Sequence, residues 1–236
     1  AQHFVAQVLA DWGTSPFYLD ASALPQGIGT AHHPIIDIAA AARVAGSHLI
    51  PATSLGVKAS YQTAVVTINA ADNRGAALRV DLSEFSSASS WVAGLSLPLS
   101  QLDLIADLKT SIGVASALGT ALITTFATLH GGKSWRTVTI AGTSIPDDFS
   151  GYSAGLHTIK RIEWSLWSKL VAAGLPYRLD YGDYATVSLA APPSGIAWGY
   201  PINVKYTLKN EFLICRGIKT TGKGGVDMAP QLISHA

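Results

Sequence analysis

Three short stretches place charged side chains at even spacings, which puts them on one face of a β-strand. In LRVDL, Arg79 and Asp81 share a face. In QLDLIADLK, Asp103 and Asp107 share one with Ile105, and in YRLDYGDY, Arg178 and Asp180 do so until Gly182 interrupts the period. Carboxylates gathered in this way can pass protons or hold a divalent cation through their oxygens. The competing reading is that Arg79–Asp81 and Arg178–Asp180 are buried ion pairs that only fix register, because an unpaired buried charge is too costly to keep. With Asp20 at the end of PFYLD, these groups are expected near strand ends, where a barrel would gather them round one mouth.

Other catalytic patterns are missing. His32 and His33 are adjacent and precede a helix start, so they point different ways and suit a capping or loop role better than a shared metal. His48, His130 and His157 stand alone, with no H-E-x-x-H, no P-loop and no G-x-G-x-x-G. Cys215 lies in the apolar run FLICRG and is expected to be a small buried thiol rather than a nucleophile. No cofactor and no metal is therefore expected.

The elements that must position these groups follow from composition and order. Hydrophobic residues make up 48% and charged residues 13% of the 236, about half the ~25% charge usual in soluble domains. That supplies a core and leaves few surface charges, a weak pointer to self-association. Sixteen basic against fifteen acidic residues, with no basic block, disfavour a nucleic-acid partner. KTTGKGG (219–225) reads as a solvated turn. A lone cysteine excludes an internal disulfide and suits the cytosol. No apolar run reaches the ~18 residues of a membrane span, and no signal peptide is seen. The chain starts at Ala1 inside a helical pattern, so a leading segment is expected to have been removed or left out.

Along the chain, helix-like and strand-like segments alternate. Helices are predicted over 1–13, 33–46, 60–75, 86–97, 113–132 and 159–174, and strands over 16–22, 48–55, 76–85, 101–110, 135–146 and 177–189. This order demands parallel strands with right-handed crossovers. It suits an α/β fold of the TIM-barrel-like (β/α) type better than a nucleotide-binding sheet. Six strands are two short of a closed eight, so the barrel is either incomplete or N-terminally truncated. INVKYTLKNEFLICRGI (202–218) reads as a C-terminal β-hairpin around KN. One domain, 1–236, is expected, with 191–236 as loop, hairpin and tail.

The stretch KRIEWSLWSKLVAAGLPYRLDYGDYATVSL (160–189) crowds aromatics and charges beside a Gly-Asp-Tyr turn. Trp164 and Trp167 are three apart on a helix, and Arg161 is three before Trp164, close enough to stack as a cation on its ring. Gly182 is expected to permit a sharp bend, and Asp183 to accept backbone N–H groups in it. R-I-E-W-S-L-W-S-K-L, then Y-G-D-Y-A-T-V, V-K-Y-T and L-I-C-R-G, resemble the C-terminal half of the phage-type Beta protein family. The likeness is specific over about 159–218 and weaker over 14–145. It implies that Arg161, Trp164, Trp167, Gly182, Asp183, Tyr184, Tyr206 and Arg216 are family-type positions. Family members open with a strand and a Lys/Gly-containing turn, for which this chain has no counterpart.

Two functions are weighed. The resemblance implies a non-enzymatic interaction protein of phage or prophage origin, acting on a protein partner in virus–host conflict. Alternatively, a barrel mouth lined by Asp20, Arg79, Asp81, Asp107, Arg161 and Asp183 acts on a phosphorylated or sugar-like ligand. That reading requires these groups to converge on one pocket of ~300–1,000 Å³.

Overall fold

The computed structural model describes residues 1–25, 32–92, 95, 97–129, 134–185 and 203–217. The chain is mixed α/β, with a parallel sheet of six strands in the order β1-β2-β3-β4-β5-β7 and a separate antiparallel sheet. Two compact units are distinguished: Ala1–Asp107 with Ala127–Thr139 and Pro176–Asp180, and Leu108–Phe126 with Ile140–Leu175 and Tyr181–Ala236.

The first unit begins with α1 (Gln2–Trp12), β1 (Phe17–Leu19), α2 (Ile35–Val44), β2 (Leu49–Thr53), α3 (Ala59–Asp72) and β3 (Ala76–Val80). After α4 (Ala88–Val92) comes β4 (Leu102–Asp107). Helix stops follow backbone chemistry. Gly13 ends α1 at φ 69, and α3 ends at Asn73 in the left-handed region at φ 51. Although α3 is rich in β-branched residues, it holds because Tyr61, Ala64, Val65 and Ile68 are buried; packing outweighs propensity there. His33, itself buried, accepts the Ile35 N–H at the start of α2 through Nδ1, a capping role of the kind its position before Pro34 suggested.

Register decides which side chains meet. Tyr18 lies beside Ile50, Ala52 beside Ala77, Ala77 beside Asp103 and Arg79 beside Ile105. Alternation therefore puts Tyr18, Arg79, Asp103 and Asp107 on one face. The opposite face carries Leu49, Leu78, Val80, Leu104 and Ala106, all buried. The Tyr18 hydroxyl on β1 donates to Asp103 on β4 at 3.0 Å. Strands spaced ~4.8 Å apart would hold these residues roughly 14 Å from each other in a flat sheet, so the contact requires the sheet to curl with the polar face concave.

The second unit contains α5 (Ile112–Ala117), α6 (Thr120–Ala127, assigned to it through Phe126), β6 (Gly155–Lys160), α7 (Ile162–Ala172), β8 (Asn203–Thr207) and β9 (Glu211–Arg216). Two strands of the parallel sheet, β5 (Thr137–Gly142) and β7 (Leu179–Asp183), have residues in both units. The hairpin predicted around Lys209-Asn210 is β8–β9, and β6 joins it in the antiparallel order β6-β9-β8. Ile145, Phe149, Phe212 and Ile214 form the core beside it.

Three expectations are corrected. The helix predicted over 159–174 begins only at Ile162, because the residues before it form β6, whose Ile159 packs on the core. The helix predicted over 113–132 is two helices, bent by 109° about a break where Gly119 takes φ 50. β7 runs through Gly182 as strand, and the left-handed residue of the following turn is Ala185 at φ 50. His130, the loop 191–201 and KTTGKGG lie outside the described residues.

Candidate functional site

In the second unit, the backbone turns from β6 into α7 at Arg161, whose N–H donates to the Asn210 carbonyl. This buries the guanidinium, leaving the residue 8% exposed. A guanidinium has five N–H donors, and here all five are used. Nε donates to Glu163 at 3.3 Å; Nη1 donates to the carbonyls of Leu208 and Lys209 at 3.0 and 3.2 Å; Nη2 donates to Tyr181 at 2.7 Å and Asp183 at 3.0 Å.

Around this ion lie three rings. The Arg161 guanidinium carbon stands 5.6 Å from the centre of Trp164, 5.8 Å from Tyr181 and 5.4 Å from Phe212, within cation–π range. Trp164 and Trp167 pack at 4.9 Å, and Tyr181 meets both edge-on. Glu163, also buried, accepts both the hydroxyl and the N–H of Ser144. Asp183 accepts Tyr181 at 2.8 Å through one oxygen and the Ala185 N–H at 2.9 Å through the other. Burial, then the hydrogen bond to Asp183, raises the Tyr181 phenol above its ordinary range. It remains a proton donor at neutral pH.

The first unit holds a second polar group on the concave face. Arg79 donates to Asp107 at 2.6 Å and stands 3.8 Å from Asp20. Nearby, Asp103 accepts from Tyr18, Arg136 and Thr137. Burial, then the Asp103 carboxylate, pushes the Tyr18 phenol up to about 12. The hydrogen bond to Asp103 raises Arg136 above its ordinary value.

Asp20, Arg79 and Asp107 meet in the first unit; Arg161, Trp164, Trp167 and Asp183 meet in the second. Asp81 serves a turn instead: its carboxylate accepts from Ser83 and the Glu84 N–H, while Glu84 accepts the Asp81 N–H. This is the reciprocal arrangement of a capping box. Arg178 and Asp180 do pair at 2.7 Å, but with the Arg178 side chain 89% exposed, so this is a surface contact and not a buried register pin. Tyr184 is half-buried just past β7, Tyr206 is exposed on β8, and Arg216 ends β9. Cys215 is buried.

Sequence reasoning missed Tyr181, Glu163 and Ser144 around Arg161, and Tyr18 and Arg136 around Asp103. Glu163 was detectable as the acidic residue in the first turn of a helix whose preceding residue is Arg. Ser144 and Arg136 carry no local signal. Among the described residues, no three His, Cys, Asp or Glu side chains are arranged to hold a metal ion, and no single helix is long and apolar enough to cross a membrane.

Comparison with known proteins adds one positive finding. A family model described as Beta protein matches residues 1–235, extending the likeness from the C-terminal part to essentially the whole chain. No curated protein sequence and no solved structure matches.

Proposed function

The chain belongs to the Beta protein family, and from that premise we propose that it is a phage-type interaction protein acting on a protein partner in virus–host conflict. One observation carries this reading: the strongest candidate for anion or substrate capture, Arg161, has no donor left to give. Its five N–H groups and its charge are spent on Glu163, Asp183, Tyr181 and two backbone carbonyls. An arginine so engaged rigidifies a surface and does not grip a small ligand. The aromatic side chains packed on it are the types that anchor protein interfaces.

The fold that presents this surface is a (β/α) barrel-like one, for which the single sheet of six parallel strands and the curl of its first four are the support. The lone buried Cys215 agrees with action in the cytosol.

Expression of the tagged full chain in its bacterial host, followed by affinity capture and size-exclusion chromatography, tests the reading. One protein should co-elute in stoichiometric amount from independent preparations. Failure to recover the same partner twice would overturn it.

A second reading, a sugar-like or phosphorylated ligand at the strand rim, is favoured by the looser geometry at Arg79. Its side chain is 35% exposed and only 3.8 Å from Asp20. Ligand-induced thermal stabilisation that disappears in Arg79→Met would support it.

A further inference from the structure

The second unit contains a groove of about 680 Å³ between α5 and α7, to which the β8–β9 turn contributes Asn210 and Glu211. We propose that this groove receives an acidic peptide segment of a protein partner. The proposal deepens the interaction-protein reading and rests on it.

Charge is the first argument. Lys160 and Lys169 both line the groove and both are exposed. Among the described residues neither makes an ion pair, whereas Arg161, which also lines it, is neutralised by Glu163 and Asp183. Glu211 lies opposite Lys160 in the β6–β9 register. Among the residues that line the groove, Glu211 is the one carboxylate against the two ammonium groups that have no ion-pair partner, an arrangement that suits an acidic segment.

Spacing is the second. Lys160 ends β6 two residues before α7 begins, and Lys169 lies seven residues into α7, roughly 10 Å along the helix from its first residue at 1.5 Å per residue. Acidic side chains three or four residues apart on an extended peptide, at ~3.3 Å per residue, span the same distance. Shape is the third. Gly113 on α5 and Ala172 on α7 are small enough to let a backbone lie close, and half-buried Trp164 offers apolar contact along the way. Exposed ion pairs contribute only ~0–1 kcal/mol each, so the tryptophan is needed to make the site more than a loose electrostatic contact.

The test uses the full chain and a short fluorescent peptide with glutamates about four residues apart around one leucine, against its glutamine counterpart. Anisotropy should show the glutamate peptide binding about tenfold tighter, with the preference shrinking as salt rises. In K160E/K169E the preference should vanish while circular dichroism is unchanged, and Lys58→Glu in the first unit should leave it intact. Equal binding of the two peptides, or equal loss in Lys58→Glu, would overturn the proposal. So would a concentration-dependent dimer, or binding to phosphatidylserine vesicles, that K160E/K169E abolishes, since the groove would then serve a second copy or a lipid surface. If K160E/K169E still captures the host partner, the groove assignment falls and the interaction reading stands. If peptide binding holds but no partner is ever captured, the reverse follows.

Discussion

Arg161 Nη2 lies 3.0 Å from Asp183 Oδ2, and the Tyr181 hydroxyl donates to that same oxygen at 2.8 Å while accepting from Arg161. The three groups close a ring in which each polar atom has its partner. Because Arg161 also bonds the carbonyls of Leu208 and Lys209, it ties the entry of α7 to the end of β7 and to the hairpin turn. The Gly-Asp-Tyr turn and the tryptophan helix crowd together around this one cation.

Replacing the hub should therefore damage stability more than charge alone would. Arg161→Lys keeps the charge but cannot fork, leaving the buried Glu163 and the two carbonyls short of donors. A loss of about 2–4 kcal/mol is expected, read as a lower urea midpoint with unchanged slope. Asp183→Asn keeps one acceptor oxygen of two, so either the Ala185 N–H or the Arg161–Tyr181 pair loses its acceptor, and at this exposed turn about 1 kcal/mol is expected. Equal effects of the two substitutions would show that Asp183, and not Arg161, organises the ring.

On the concave face, Asp103 is the corresponding hub. It is 1% exposed and accepts from Tyr18, Arg136 and Thr137. Asp103→Ala removes the shared acceptor of Tyr18, Arg136 and Thr137 and should cost about 2 kcal/mol. Tyr18→Phe removes one donor from an acceptor that keeps others, so about 1 kcal/mol is expected. Chemical denaturation of both variants and the double variant measures the coupling; additivity would mean that the β1–β4 contact contributes nothing of its own.

How far the chain announces this architecture depends on sequence distance. The parallel strands show because apolar strand-length runs alternate with helix-length segments, and the Trp164–Trp167 stack shows because i,i+3 spacing on a helix dictates it. β6 stays hidden because Ile159 and Ile162 fit a helical stripe equally well; only the pairing with β9, about fifty residues later, makes 155–160 a strand. The break at Gly119 is hidden for a similar reason, since glycine is tolerated inside a helical pattern. Partners such as Arg136 with Asp103, or Tyr181 with Arg161, lie 33 and 20 positions apart. No periodicity joins them. Arg79 faces the same difficulty: alternation suggested Asp81, two residues away, yet its guanidinium bonds Asp107 on the neighbouring strand.

Glycine substitutions separate close packing from backbone preference. Gly75 has φ 74, and an added Cβ would sit 1.8 Å from the Gln101 carbonyl oxygen and 2.9 Å from Arg136 Nη1. Gly174 has φ 71 with open space where the Cβ would go. Gly174→Ala should cost about 1 kcal/mol from conformation alone. Gly75→Ala must in addition push β3 from its neighbour, so a loss beyond about 4 kcal/mol or failure to fold is expected. Similar melting temperatures for the two variants would contradict the strand packing described here.

Alkaline pH tests the buried phenols. Burial pushes Tyr61 and Tyr177 up to about 12, and Tyr61, 1% exposed, also donates to the Ala52 carbonyl while accepting the Ala21 N–H. Below an unfolded-state value of about 10, both states keep the proton and stability is independent of these groups. Between about 10 and 12 the unfolded chain gives up the proton and the folded chain does not, so the unfolded state binds fewer protons and stability falls as pH rises. For Tyr61 the loss across that window is roughly 2 kcal/mol by linkage. Tyr61→Phe should flatten this part of the pH–stability curve, and phenolate absorbance of the native chain should show a class of tyrosines titrating near 12. A single transition near 10 for every tyrosine, with an unchanged stability slope in the variant, would mean that Tyr61 meets solvent in the folded state.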